Sequence, residues 1–167
     1  TQLANSADMN TQPQSCVSNE FIYRRLDDEQ LTSYRDNGFL RLDRVLTEDG
    51  LETMREQCMS AWRAEKGEFD PAETWLQNAL LNDIHHRADI VRRFYFHGPL
   101  VDVAEQLVGP NIKGATSQLT FKMRGNTRAF GWHQDNGYWR CDPATLVSIW
   151  MPWDDADEEN GCMTMIP

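Results

Sequence analysis

The chain has little of what marks a nucleic-acid-binding protein, a membrane protein or a secreted domain. Its 167 residues carry 16 Lys and Arg against 26 Asp and Glu, a net charge of −10. No basic cluster is present that would neutralise phosphates or anionic lipid headgroups. No apolar run approaches the roughly 20 residues of a transmembrane helix, and the amino terminus lacks the features of a signal peptide. We therefore expect neither nucleic-acid nor membrane partners.

Cysteine is also sparse. Cys16, Cys58, Cys141 and Cys162 lie far apart in the sequence and form no CxxC pair. This spacing disfavours a zinc knuckle or a dithiol redox site, and it favours four reduced, structural cysteines. We accordingly predict a cytoplasmic protein.

The remaining composition is that of one globular domain, with 40% hydrophobic and 25% charged residues. Residues 1–19 are polar without periodicity and are predicted to form a flexible arm, and residues 20–167 a single domain. Helices are predicted from Asp27, from Thr47 and from Pro99 to Leu107, because a capping residue or a helix-initiating proline precedes apolar residues at helical spacing. Residues 67–96 are predicted to be helical in part.

The pattern changes to strands after about residue 115. Leu119, Phe121 and Met123 alternate with polar residues, which is typical of a strand with one buried face. The apolar run 146–150 predicts a strand buried on both faces. Short strands are also predicted at 39–42 and 162–166, with an acidic loop from 154 to 161. Helices that precede strands in this way indicate the α+β class.

His133 and Asp135 form the main candidate site. On an extended strand their side chains would point to the same side, so one segment would supply two ligands of the 2-His-1-carboxylate site of non-haem Fe(II) enzymes. Trp132, Tyr138 and Trp139 would then wall the site against water. The alternative from the tripeptide alone is a surface His paired with an Asp at a strand end.

The residues around this pair resemble the phytanoyl-CoA dioxygenase family of Fe(II)/2-oxoglutarate-dependent oxygenases. The matching elements are Lys122 on a strand, Trp-His-Gln-Asp-x-x-Tyr-Trp at 132–139, the strand ending in Trp150, and Glu159-Asn-Gly-Cys-Met-Thr-Met-Ile-Pro167. The segment 26–39 is similar to the family's opening helix. The resemblance thus covers roughly residues 26–167.

This resemblance implies a double-stranded β-helix core, the jelly roll of cupins, flanked by amino-terminal helices. It implies that His133 and Asp135 hold Fe(II), with 2-oxoglutarate and O2 as co-substrates and a small molecule as the substrate to be hydroxylated. Halogenating relatives replace the carboxylate with a small residue, so Asp135 favours hydroxylation. The substrate stays unidentified, although a net charge of −10 makes an anionic CoA ester less attractive.

The resemblance also assigns further residues. Lys122 matches the family's co-substrate lysine and Trp150 an aromatic residue lining the same pocket, whereas strand periodicity places Gln118 on the same face as Lys122. Tyr138 and Trp139 are candidates for substrate contact. For Lys122 the alternative is a solvated strand lysine, for Trp150 a structural role in the core, and for Tyr138 and Trp139 simple packing.

The sequence departs from the family pattern at its end. The family continues past Ile-Pro with a distal histidine as third ligand and an arginine for 2-oxoglutarate, whereas this chain stops at Pro167. His85, His86 and His97 precede the core in helical or loop contexts, and we assign none of them as a third ligand. We expect the amino-terminal part of a longer protein, with a jelly roll incomplete at the carboxyl end, weak metal binding and little activity.

Two other functions fit the same residues. A zinc or manganese enzyme of the cupin type would use His133 and Asp135 for hydrolysis or isomerisation, because these ligands suit several metals. A non-catalytic jelly-roll module is compatible with the missing third ligand. The sequence does not indicate an oligomeric state.

Overall fold

The computed structural model describes residues 19–68, 70, 80–122 and 129–167. Within these ranges, helices precede and surround one small sheet. In chain order the elements are α1 (Asp28–Asn37), α2 (Glu48–Lys66), β1 (Leu80–Asn82), a 3-10 turn (Ile84–His86), α3 (Asp89–His97), α4 (Pro99–Val108), β2 (Gln118–Thr120) and α5 (Asn136–Trp139).

The first two helices begin where their capping residues predict. The Asp27 carboxylate accepts a hydrogen bond from the Gln30 N–H, and the Gln30 side chain accepts one from the Asp27 N–H, a reciprocal capping box. Gly38 ends α1 in the left-handed conformation, with φ of 78°. The Thr47 hydroxyl caps α2 by accepting from the Gly50 N–H at 3.0 Å. The predicted helices from Asp27 and Thr47 are therefore confirmed.

The core lies between α2, α3 and the sheet. The α2 side chains Met54, Cys58 and Trp62 recur at helical spacing and are almost fully buried. The other buried members of this cluster are Phe21, Leu46, Leu81, Ile84, Ala88, Ile90, Val91 and Leu119. A second, smaller cluster joins Leu26 and Val45 to Leu100 and Val103 of α4. Thus α4, which begins at Pro99 as predicted, packs against the amino-terminal segment.

The sheet consists of β1 and β2 in antiparallel register. Leu80 pairs with Thr120, Leu81 with Leu119 and Asn82 with Gln118. Residues 67–96 are helical in part as predicted, through the 3-10 turn and α3, but Leu80, which the sequence predicts to be helical, lies on β1. Leu81 and Leu119 are both buried and lie directly opposite each other on the two strands. Their cross-strand apolar contact stabilises the strand here, and a helix at Leu80 would lack it.

Three predicted strands are absent from the part of the chain described. Residues 39–42, 146–150 and 162–166 have no regular structure, and Ile149 and Trp150 are 52% and 49% exposed rather than buried. A strand needs a partner for its backbone hydrogen bonds, and no neighbouring strand lies beside these segments within the described ranges. The expected double-stranded β-helix is therefore not confirmed, although helices combined with an antiparallel sheet agree with the α+β class.

Several predictions fall on residues outside the described ranges. These are the arm, apart from its last residue Asn19; the helical positions Trp75, Leu76 and Ala79; Met123 in the alternating strand; and the break at Gly125-Asn126. The division into an arm and a single domain stays a prediction. Among the described helices, none is both long and apolar enough to cross a membrane.

Candidate metal and co-substrate site

His133 and Asp135 do not lie on a strand. Asp135 has helical backbone angles, φ −58° and ψ −34°, and stands immediately before the single turn of α5. Its carbonyl oxygen accepts from the N–H groups of Tyr138 and Trp139 at 2.9 and 3.2 Å, so the chain turns here instead of extending. The predicted strand geometry is wrong, yet the two side chains still meet. His133 Nε2 lies 3.5 Å from Asp135 Oδ1.

The hydrogen bonding of His133 defines which ring nitrogen is available. His133 Nδ1 lies 2.6 Å from the Gly131 carbonyl oxygen. A carbonyl oxygen only accepts, so Nδ1 carries the proton and donates it. In the neutral imidazole Nε2 then has a free lone pair, which faces Asp135. Such a bond from the distal nitrogen to a carbonyl is how metal-binding histidines are commonly oriented.

The second oxygen of Asp135 has its own partner. The Ser148 hydroxyl donates a hydrogen bond to Asp135 Oδ2, which leaves Oδ1 directed at His133. Ser148 was not among the predicted site residues. The signal that could have indicated it is a hydroxyl in a run predicted to be buried, where a polar side chain would need a partner, although Ser148 is exposed in the structure.

Aromatic side chains border the pair without closing it. The Tyr138 ring lies edge-on to the His133 ring, with centroids 5.7 Å apart. However, Tyr138 and Trp132 are 74% and 70% exposed, and Trp139 is also exposed. The water-excluding wall expected from these residues is not formed within the described part of the chain.

Lys122 lies two residues after the end of β2 and contacts the Asn160–Gly161 turn. Its ammonium donates a hydrogen bond to the Gly161 carbonyl oxygen at 2.6 Å. Two segments of the resemblance, 39 residues apart in the sequence, are therefore joined at this point.

Within the residues that the structure describes, Gln118 and Trp150 have no contact that indicates a role in the site. Gln118 lies on β2, and its side-chain amide donates to Asn82 of β1 at 2.9 Å. Trp150 is about half exposed. Among the described residues, no hydrogen bond or ion pair links Gln118, Trp150 or Lys122 to the His133–Asp135 pair, so their predicted roles in binding 2-oxoglutarate stay predictions.

The donor set at His133 and Asp135 fits a metal ion but does not complete its coordination. First-row metals such as zinc bind nitrogen and oxygen ligands at about 2.0–2.2 Å, so one ion can bridge an imidazole lone pair and a carboxylate oxygen 3.5 Å apart. No group of three or more His, Cys, Asp or Glu that could hold a metal occurs in the described ranges. The pair is therefore a partial site.

His85 has a packing role in this structure. It is 7% exposed, its Nδ1 lies 2.6 Å from the Ser117 hydroxyl, and its ring stacks on that of Tyr95 with centroids 4.5 Å apart. Burial is the main cause that lowers the pKa of His85. These contacts support leaving His85 out of the metal site.

Comparison with known proteins gives two relatives at low identity. The chain is 25% identical over 138 residues to an L-proline trans-4-hydroxylase from Streptomyces griseoviridis, covering 80% of this chain and 52% of the relative. It is 23% identical over 158 residues to a peroxisomal phytanoyl-CoA dioxygenase from Mus musculus, covering 83% of this chain and 46% of the relative. The chain thus spans about half the length of these relatives. No solved structure matches.

A family model, that of phytanoyl-CoA dioxygenase, matches residues 34–167. This family has a jelly-roll fold, of which the described residues show only a two-stranded sheet with helices. Its members use Fe(II) and 2-oxoglutarate. The match begins within α1, includes the His133–Asp135 pair and extends to the last residue. The chain belongs to the phytanoyl-CoA dioxygenase family.

Proposed function

We propose that the protein acts as an Fe(II)- and 2-oxoglutarate-dependent dioxygenase that hydroxylates a small molecule. The observation that carries the proposal is that His133 Nε2 lies 3.5 Å from Asp135 Oδ1 while Nδ1 is bonded to the Gly131 carbonyl, in a chain of a family whose members use this metal and co-substrate.

Each site residue has a role in this proposal. When bound, iron and 2-oxoglutarate supply the oxidising chemistry, in which O2 is consumed and 2-oxoglutarate is converted to succinate and CO2. His133 and Asp135 hold the metal, and Ser148 fixes which carboxylate oxygen faces it. Lys122 binds a carboxylate of 2-oxoglutarate with its ammonium. Trp150 and Gln118 line the co-substrate pocket.

The substrate side of the site is open in this structure. The side chains of His133 and Asp135 are 38% and 43% exposed, which leaves a face free for a small molecule. We assign Tyr138 and Trp139 to substrate contact, because Tyr138 borders the His133 ring and both rings offer apolar surface.

The two relatives suggest which substrates to test first. One relative is named for L-proline and the other for phytanoyl-CoA. Free L-proline is the first choice and an acyl-CoA ester the second, since a net charge of −10 opposes a highly anionic ligand. O2, 2-oxoglutarate and the small molecule are the partners in this account.

The test is succinate formation, measured by mass spectrometry with Fe(II), 2-oxoglutarate, O2 and each substrate. The proposal predicts succinate that requires Fe(II) and O2 and disappears in Asp135→Ala. Because the chain supplies two ligands within its described residues, we expect slow turnover. Activity that is independent of O2 and supported by Zn(II) or Mn(II) would instead indicate the cupin-type enzyme. No turnover together with no metal binding would indicate a non-catalytic module.

A further inference from the structure

Lys122 is held by the backbone of the Asn160–Gly161 turn. Its ammonium donates to the Gly161 carbonyl oxygen at 2.6 Å. An ammonium has three N–H groups, so this bond leaves two for other acceptors while restricting where the flexible side chain can point. Lys122 is otherwise exposed, and a free lysine at such a position would sample many rotamers.

Gly161 leaves the space that Lys122 occupies. A Cβ added at Gly161 would lie 2.7 Å from Lys122 Nζ and 2.8 Å from Lys122 Cδ. Gly161 also has φ of 93°, where side chains other than glycine are strained. The contact therefore depends on glycine twice, once for the backbone conformation and once for the volume taken by the lysine.

The turn itself is fixed by the acidic loop. The Asp157 carboxylate accepts from the N–H groups of Glu159 and Asn160 at 2.9 and 3.0 Å, and the Asp157 carbonyl accepts from the Gly161 N–H at 3.0 Å. The Asn160 side chain in turn accepts from the Asp157 N–H at 2.8 Å. These bonds fix the backbone of the turn that ends at the Gly161 carbonyl.

We propose that Gly161 is a positioning residue for 2-oxoglutarate binding, because its carbonyl oxygen and its missing side chain together fix the Lys122 ammonium. The inference rests on the proposed function, in which Lys122 binds the co-substrate carboxylate. It adds a role for the Asn160–Gly161 turn. It also explains part of the need for glycine at position 161 by the space that the Lys122 side chain occupies.

Amine labelling tests the positioning directly. The chain has three lysines, Lys66, Lys113 and Lys122, so acylation of each is quantified by mass spectrometry with the other two as internal references. In Gly161→Ala we expect labelling of Lys122 to rise about fivefold, the factor that corresponds to losing one ordinary hydrogen bond, with Lys66 and Lys113 unchanged. Equal labelling of Lys122 in wild type and Gly161→Ala would overturn the inference.

Two other glycines provide matched controls. Gly38 and Gly109 also have positive φ, 78° and 96°, which bracket the 93° of Gly161. A Cβ at either of them meets nothing within 4 Å. Gly38→Ala and Gly109→Ala carry backbone strain without touching Lys122, so we expect wild-type labelling of Lys122 in both. A similar rise in either control would contradict a specific role for Gly161.

A second background keeps the inference testable if Gly161→Ala folds poorly. The added methyl group collides with the end of the Lys122 side chain, so Lys122→Ala removes the collision. We expect Gly161→Ala to lower the thermal midpoint less in the Lys122→Ala background than in wild type, a coupling that backbone strain alone would not give. An equal loss in both backgrounds would refute the steric assignment.

Protection by 2-oxoglutarate separates this inference from the proposed function. With Fe(II) under anaerobic conditions, 2-oxoglutarate should protect Lys122 from labelling in wild type and protect it less in Gly161→Ala. Absence of protection in wild type would contradict the role of Lys122 in the proposed function. Equal protection in wild type and Gly161→Ala would contradict the positioning role while leaving the proposed function intact.

Discussion

At the scale of single residues, the site is defined by which atoms of His133 and Asp135 already take part in hydrogen bonds. The Gly131 carbonyl occupies Nδ1 of His133, and the Ser148 hydroxyl occupies Oδ2 of Asp135. The two atoms left over, Nε2 and Oδ1, face each other at 3.5 Å. When the imidazole is neutral, both atoms are electron-pair donors, and such an arrangement attracts a cation. The orientation of the pair is thus built by neighbours rather than by a strand.

Ser148 should therefore matter for metal binding. In Ser148→Ala the Asp135 carboxylate loses the bond that orients it, and we expect Fe(II) affinity to fall roughly 10- to 100-fold, as is usual when a partner of a metal ligand is removed. Anaerobic Fe(II) titration measures this. Thr145→Ala is the control, since the Thr145 hydroxyl donates to the nearby Pro143 carbonyl. An unchanged affinity in Ser148→Ala would remove Ser148 from the site.

The cysteines should differ in reactivity. Burial raises the pKa of the Cys58 thiol to about 12, and Cys141 is exposed. Because the thiolate is the reactive form, we expect a thiol reagent near neutral pH to modify Cys141 in the native chain and to reach Cys58 only after unfolding. Mass spectrometry of the labelled chain checks this. Rapid native labelling of Cys58 would contradict the packing of α2.

The same pKa shift predicts an alkaline loss of stability. In the unfolded chain the Cys58 thiol ionises near its ordinary value, whereas in the folded chain it stays protonated up to about pH 12. Between these values the unfolded state binds fewer protons, so the free energy of unfolding falls as the pH rises. Denaturant unfolding at increasing pH should show this fall in the free energy of unfolding. In Cys58→Ala the free energy of unfolding should fall less over the same pH range.

At the scale of elements, helix boundaries were more predictable from the sequence than strands. Asp27 and Thr47 cap their helices through contacts within three residues, so local sequence is sufficient there. The pairing of Leu81 with Leu119 joins positions 38 residues apart, and no local pattern specifies such a partner. The apolar run 146–150 has the composition of a strand but no paired neighbour in the described ranges.

For the candidate site, the sequence predicted several of the residues but not the contacts that orient them. Residue types and their order indicated His133, Asp135 and Lys122, and the structure brings the first two together. It does not place Trp150 or Gln118 against them. Ser148 and the Gly131 carbonyl escaped prediction because the sequence indicated an extended strand through His133 and Asp135, whereas the chain bends at Trp132 and turns at Asp135.

The packing of α2 against the amino-terminal segment gives an element-scale prediction. A Cβ at Gly50 would lie 2.1 Å from the Glu20 carbonyl oxygen, which is fixed by accepting from the Thr47 N–H at 3.0 Å. Gly-to-Ala changes inside helices usually stabilise by roughly 0.5–1 kcal/mol. Here we expect Gly50→Ala to destabilise by about 1–3 kcal/mol through overpacking.

Denaturant unfolding checks the effect of Gly50→Ala. Ser60→Ala, at an exposed position of the same helix, is the control and should leave stability nearly unchanged or slightly raised. A gain in stability in Gly50→Ala would show that the chain before α2 does not pack closely against this helix.

At the scale of the whole molecule, packing is uneven along the chain. The cores centred on α2 and α4 are well buried, whereas the segment after residue 129 exposes many large apolar side chains. The exposed ones in this segment are Phe130, Trp132, Tyr138, Trp139, Ile149, Trp150, Met163, Met165 and Ile166. Arg55 of α2 holds part of the segment by donating to the Trp153 carbonyl and, at 2.9 Å, to Asp154. Arg55 thus ties this segment to α2, while much of the apolar surface of the segment stays exposed.

The central claim is that His133 and Asp135 bind the iron to which 2-oxoglutarate is chelated. The most direct measurement is the anaerobic visible absorption band that Fe(II) and 2-oxoglutarate give when bound together, recorded at saturating Fe(II). The account predicts a band in wild type that is lost in Asp135→Ala and kept in Asp155→Ala, an exposed carboxylate in the acidic loop. A band that survives Asp135→Ala, or the absence of any band in wild type, would contradict it.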